Sequence, residues 1–74
     1  MENKIKHIMA EVFVCDINDI TEATTKDDLE NWDSLQHMIF ISKLEQELQI
    51  SFTPDEIGTM LSYIAIFSVV KSKL

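Results

Sequence analysis

Few residues in this chain could do chemistry. Ser34 and His37 stand three apart, about one helical turn, a spacing that could pair a nucleophile with a general base. Such a pair also needs an orienting group and donors for an oxyanion, and a 74-residue chain of short helices offers no source for either. His7 and His37 are the only histidines, and no HExxH or Cys/His spacing surrounds them, which argues against a metal site. A calcium loop begun at Asp16 would place Asn18 correctly. It would then offer Ile20 at the fifth position, Thr21 where glycine is required, and Asp27 instead of the bidentate glutamate. The single cysteine, Cys15, excludes an internal disulfide and suits a small, half-buried packing role. What survives is Asp33-Ser34, inside ENWDSLQHMIF at the head of an apolar run. It is either an ordinary helix start or a place where a group is attached to a serine hydroxyl.

Composition narrows the classes further. Seventy-four residues allow one domain, spanning 1–74, with a modest core. At 46% hydrophobic the chain is too apolar for disorder, despite a net charge of −7. Six lysines face thirteen carboxylates and there is no arginine, which disfavours nucleic acid and favours basic protein partners. The opening MENKIKHIM lacks the apolar centre of a signal peptide. The longest apolar run, Leu61 to Val70, is about half the roughly 20 residues of a membrane span. A cytoplasmic, stand-alone monomer without a membrane span is expected.

The elements that must position Ser34 are legible from periodicity and caps. Ile5, Ile8, Val12 and Phe13 predict an amphipathic helix over residues 3–14. Asp16 to Asp33 is a long acidic loop, seven carboxylates against Lys26, with Ile20 and Leu29 as apolar anchors. Asp33 and Gln36 form a capping-box pattern that starts a second helix, Ser34 to about Leu48. After an extended QISF, Thr53-Pro54-Asp55-Glu56 starts a short third helix that ends near 58–61. Ser62 caps a fourth, with Tyr63, Ile66, Phe67, Val70 and Leu74 on one face and Lys71 and Lys73 in its last turn. The fold class is all-α: a small four-helix bundle, three main helices and one short one, with a long loop between the first two.

The second helix has two apolar sides. Phe40, Ile41, Leu44 and Leu48 make a buried stripe, with His37 on the same side under the incoming loop. Leu35, Met38 and Ile39 fall on a different sector that adjoins Ser34 and continues through Ser42, which suggests a docking surface. The competing expectation is that the loop covers part of this sector, with Trp32 as its lid. With Asp33 as cap, Ser34 takes the first helical position, its hydroxyl toward solvent. A phosphodiester there would meet free backbone N–H groups and the positive end of the helix dipole.

Trp32-Asp33-Ser34-Leu35, then a helix ending LEQEL, then QISFTPDEI, resembles the acyl carrier proteins over nearly the whole chain. The resemblance implies a carrier without catalytic activity of its own. A phosphopantetheinyl transferase would attach 4′-phosphopantetheine from coenzyme A to Ser34, and Asp33 would serve in recognition by that enzyme as well as in capping. The arm would hold acyl groups as thioesters for acyl-loading, condensing or acyl-transfer enzymes of fatty-acid, polyketide or related biosynthesis. Leu35, Met38, Ile39, Ser42 and Glu45 would face partners, while Ile57, Met60 and Leu61 would shelter an acyl chain. Two departures stand out: Trp32 occupies a place where many carriers have glycine, and Gln36, His37 and Ile39 occupy early helix positions that are often acidic. The WDSL and FTPDE wording is closer to carriers of specialised pathways, such as polyketide, nonribosomal peptide or surface-saccharide acylation. The alternative is an unmodified, carrier-like helical interaction module.

Overall fold

A computed structural model describes residues 2–74. Four helices follow one another: α1 (Glu2–Phe13), α2 (Ser34–Leu48), α3 (Pro54–Thr59) and α4 (Tyr63–Lys73). The bounds match the capping signals, because each predicted cap makes its bond. Asp33 Oδ1 accepts from Gln36 N–H at 2.8 Å, Thr53 Oγ1 from Glu56 N–H at 3.2 Å, and Ser62 Oγ from Ala65 N–H at 3.2 Å. At α3 the box is complete, with Glu56 returning to Thr53 N–H at 2.8 Å. At α2 only the Asp33 half forms. Gln36 is a neutral, weaker acceptor than a carboxylate, and its half-exposed amide has water as a competitor.

The core is built where the helical stripes meet. Ile5, Ile8, Met9 and Phe13 of α1 pack with Phe40, Ile41 and Leu44 of α2, Met60 after α3, and Tyr63, Ile66 and Val70 of α4. Met9 completes the α1 stripe at one turn before Phe13. The ends of the predicted stripes fray outward: Val12, Leu48 and Phe67 are half-buried, and Leu74 is exposed. Cys15 is likewise half-buried, and burial pushes its thiol up from its ordinary value. Lys73 pairs with Glu56 at 2.8 Å and tethers α4 to α3. That contact, ahead of the Thr53 N–H, holds the Glu56 carboxyl below its usual range. A lowered carboxylate contributes stability above its unfolded value and loses it as pH falls through the lowered one, so this tether persists into mild acid.

The long connection is not structureless. Two single 3₁₀ turns, Ile17–Asp19 and Lys26–Asp28, organise it, and Ile20 is buried beneath it. Its far half pairs with the α3–α4 junction: Lys26 N–H donates to Leu61 O at 2.8 Å and Tyr63 N–H to Thr24 O at 2.9 Å, around an isolated Thr25–Ser62 bridge. No strand forms among the described residues.

Both long-helix exits use a left-handed residue that is not glycine. Val14 (φ 51°) and Gln49 (φ 55°) each precede a residue whose N–H returns five positions, Cys15 to Ala10 O and Ile50 to Glu45 O. This is the Schellman arrangement, in which glycine or asparagine is usual. A β-branched valine there is strained, and its side chain is exposed, so little burial compensates. Val14→Asn is therefore expected to stabilise the fold by about 1 kcal/mol. In a domain of this size that raises the melting midpoint by roughly 4–8 °C; thermal unfolding by circular dichroism checks it.

Candidate functional site

The head of α2 is organised by Trp32. Trp32 does not lie over the apolar sector of α2 as a lid; it is turned inward and is 2% exposed. Its ring stacks on Phe13 at 4.7 Å, and Phe13 in turn meets Phe40 at 5.3 Å. The inward choice follows from what each side offers. The α1–α2 interior supplies two aromatic faces and a buried acceptor for the indole N–H, whereas the outer sector supplies no aromatic partner. The neighbouring Asn31 amide donates to Phe13 O at 3.0 Å and pins the loop to the end of α1.

The acceptor is His37. Trp32 Nε1–H donates to His37 Nδ1 at 3.0 Å, and His37 Nε2 lies 3.0 Å from the carbonyl of Ile57 on α3. An indole nitrogen can only donate and a carbonyl can only accept, so the ring is neutral with its proton on Nε2. His37 is thus an internal strut joining the loop, α2 and α3, and the Ser34–His37 catalytic pairing has no support in the structure. Both ring nitrogens are committed elsewhere.

Ser34 is the first residue of α2 and is exposed, as are Asp33 and Leu35. One Asp33 oxygen caps Gln36, and its main-chain carbonyl accepts from His37 N–H at 2.8 Å. The Ser34 hydroxyl therefore stands on a rigid helix head, beside N–H groups that have no acceptor within the helix. An anionic group fits that position. Within reach of it, Leu35, Met38 and Ile39 are 68%, 50% and 45% exposed. Met38, Ile39 and Ser42 line an open groove together with Lys43 and Gln46. Those last two were not singled out from the sequence, although they follow Ile39 at i+4 and i+7. Lys43 is held at the groove edge by Glu11 at 3.1 Å, which raises its pKa.

The remaining expected site residues do not gather. Glu45 accepts from Phe52 N–H at 2.9 Å and so anchors the α2–α3 connection. Ile57 is half-buried with its carbonyl on His37, Met60 is wholly within the core, and Leu61 is 44% exposed. These three occupy different environments.

The strut should be measurable by a double-mutant cycle. His37→Leu leaves the indole N–H and the Ile57 carbonyl buried without partners, and at about 1–3 kcal/mol for each is expected to cost roughly 2–6 kcal/mol in urea unfolding. Trp32→Phe with His37→Leu should cost less than the sum of the single changes, with a coupling of about 1 kcal/mol.

No group of carboxylates, histidines or cysteines among the described residues could hold a metal ion, and none of their helices is long and apolar enough to cross a membrane. A search among curated proteins finds no match to the chain. A family profile does match: that of the phosphopantetheine attachment site, over residues 3–62, from α1 to the cap of α4. Members bear a covalent 4′-phosphopantetheine, are served by phosphopantetheinyl transferases and biosynthetic enzymes, and carry cargo without catalysing reactions themselves. With the family matched across most of its length, this chain belongs to the phosphopantetheine-attachment carriers and is a carrier protein of the acyl carrier type.

Proposed function

We propose that Ser34 is the attachment residue and that the chain carries acyl groups as thioesters in fatty-acid, polyketide or related biosynthesis. The observation that carries this is the exposed Ser34 hydroxyl at the first position of α2, directly after its capping Asp33, in a chain of this family. In the transfer, the Ser34 oxygen forms a bond to the β-phosphorus of coenzyme A. The pyrophosphate P–O bond breaks, adenosine 3′,5′-bisphosphate leaves, and the serine proton passes to a base of the transferase. Asp33 has one carboxylate oxygen on Gln36 N–H and stands exposed for recognition by that enzyme. The bound group supplies a terminal thiol on a flexible arm. Leu35, Met38, Ile39 and Ser42 offer partner enzymes an apolar face next to that arm, one without carboxylates in the first turn of the helix. Partners with apolar rather than strongly basic docking surfaces suit it, in keeping with a specialised pathway.

Incubated with coenzyme A, magnesium and a promiscuous transferase, the protein should gain the mass of one phosphopantetheine. Ser34→Ala should gain none while melting like the wild type. An unchanged wild-type mass across several transferases would overturn the assignment. The exposed face also supports a second reading, a module that binds partners without modification. Under it Ser34→Ala leaves function intact while Met38→Glu or Ile39→Glu abolishes binding, so the mass at Ser34 separates the two.

A further inference from the structure

We infer that the Trp32–His37–Ile57 bridge is a gate on cargo, which keeps short or polar acyl groups outside the bundle and yields only to long apolar chains. This rests on Ser34 as the attachment residue. Ser34 precedes His37 by three residues, a rise of ~4.5 Å along α2, so whatever Ser34 bears leaves the helix beside the bridge.

Two apolar destinations lie near it. One is the open groove of Met38, Ile39 and Ser42, which cargo can reach without disturbing the fold. The other is the interior between α2 and α3, where Phe40, Leu44 and Met60 are fully buried. The His37–Ile57 bond crosses that seam, and the Trp32 indole holds the ring that makes it. Cargo entering there parts His37 from Ile57, and moving the ring also strands the indole N–H. Each stranded buried partner costs about what the burial of one to four methylenes returns. For the two bonds the balance falls at roughly three to eight methylenes. A two- to four-carbon acyl, hydroxyacyl or aminoacyl group cannot compensate for the opening and rides on the outside. A twelve-carbon chain can.

The chain has one tryptophan, so its emission reports on the gate alone. The protein is charged by a transferase from coenzyme A and from its acetyl, butyryl, octanoyl and dodecanoyl thioesters. Mass confirms loading; without a mass gain the attachment residue fails, and the gate with it. In loaded wild type, the two- and four-carbon forms should keep the emission and melting midpoint of the unacylated form. The twelve-carbon form should shift emission to the red and raise the midpoint. Trp32→Phe keeps an aromatic ring for Phe13 and removes the indole donor. In that variant the midpoint should begin to rise at shorter chain length than in wild type. A four-carbon group that already shifts both wild-type readings overturns the gate. So does a twelve-carbon chain that raises the midpoint with Trp32 unmoved, or a Trp32→Phe series that tracks wild type at every length.

Discussion

Between an indole N–H that can only donate and a peptide carbonyl that can only accept, the His37 ring has one arrangement open to it, and much of the molecule is organised around that fact. The bond to Trp32 draws the end of the acidic loop inward, where the indole covers Phe13 and seals the α1–α2 contact. The bond to Ile57 sets the short helix α3 against the first turn of α2. Without the ring, three separately held pieces would meet at an apolar junction with their polar atoms unpaired. The ring also keeps Trp32 off the far side of α2, since the indole is held inside.

That division of α2 into an inner and an outer face connects packing to function. The inner face is filled by Phe40, Ile41 and Leu44, while Leu35, Met38 and Ile39 stay exposed on the other side. A carrier must be fixed enough to present one serine and bare enough to be gripped by successive enzymes. Here the rigid requirement is met by the cap at Asp33 and the strut behind it. Under the proposed reading, the second would fall to the exposed apolar strip of Leu35, Met38 and Ile39. More than half of the carboxylates lie on the loop that ends at Asp33, and none lies in the first turn of α2 itself.

How much could be read from the residues alone follows from how local each signal is. Caps are local: Asp33, Thr53 and Ser62 each bond an N–H three residues away, and the starts of α2, α3 and α4 were legible to the residue. Stripe periodicity is nearly as local, and on the helices it left only Met9 of the core unclaimed; buried Phe52, outside any helix, carries no such signal. Trp32 was misplaced because its direction depends on His37 and Phe13 together, a comparison of two environments that no spacing rule contains. The bond that Glu45 makes is illegible for a similar reason. Its carboxylate is taken by the backbone of Phe52, seven residues on, in a connection whose path the residue pattern does not specify. The dispersal of Ile57, Met60 and Leu61 depends on how a six-residue helix ends and turns.

The pairing of the loop with the α3–α4 junction has a consequence for the order in which the chain becomes competent. Lys26 and Thr24 are held by Leu61 and Tyr63, so the loop that delivers Trp32 to the interior is anchored by residues made far later in synthesis. At about 5–20 residues per second, a ribosome adds the stretch from Ser34 to Tyr63 within a few seconds. Over that interval the serine exists on a nascent segment whose supporting turns are not yet closed. Recognition that depends on the finished head of α2 thus comes after translation has passed Tyr63, and a transferase reading that surface would select folded chains over emerging ones.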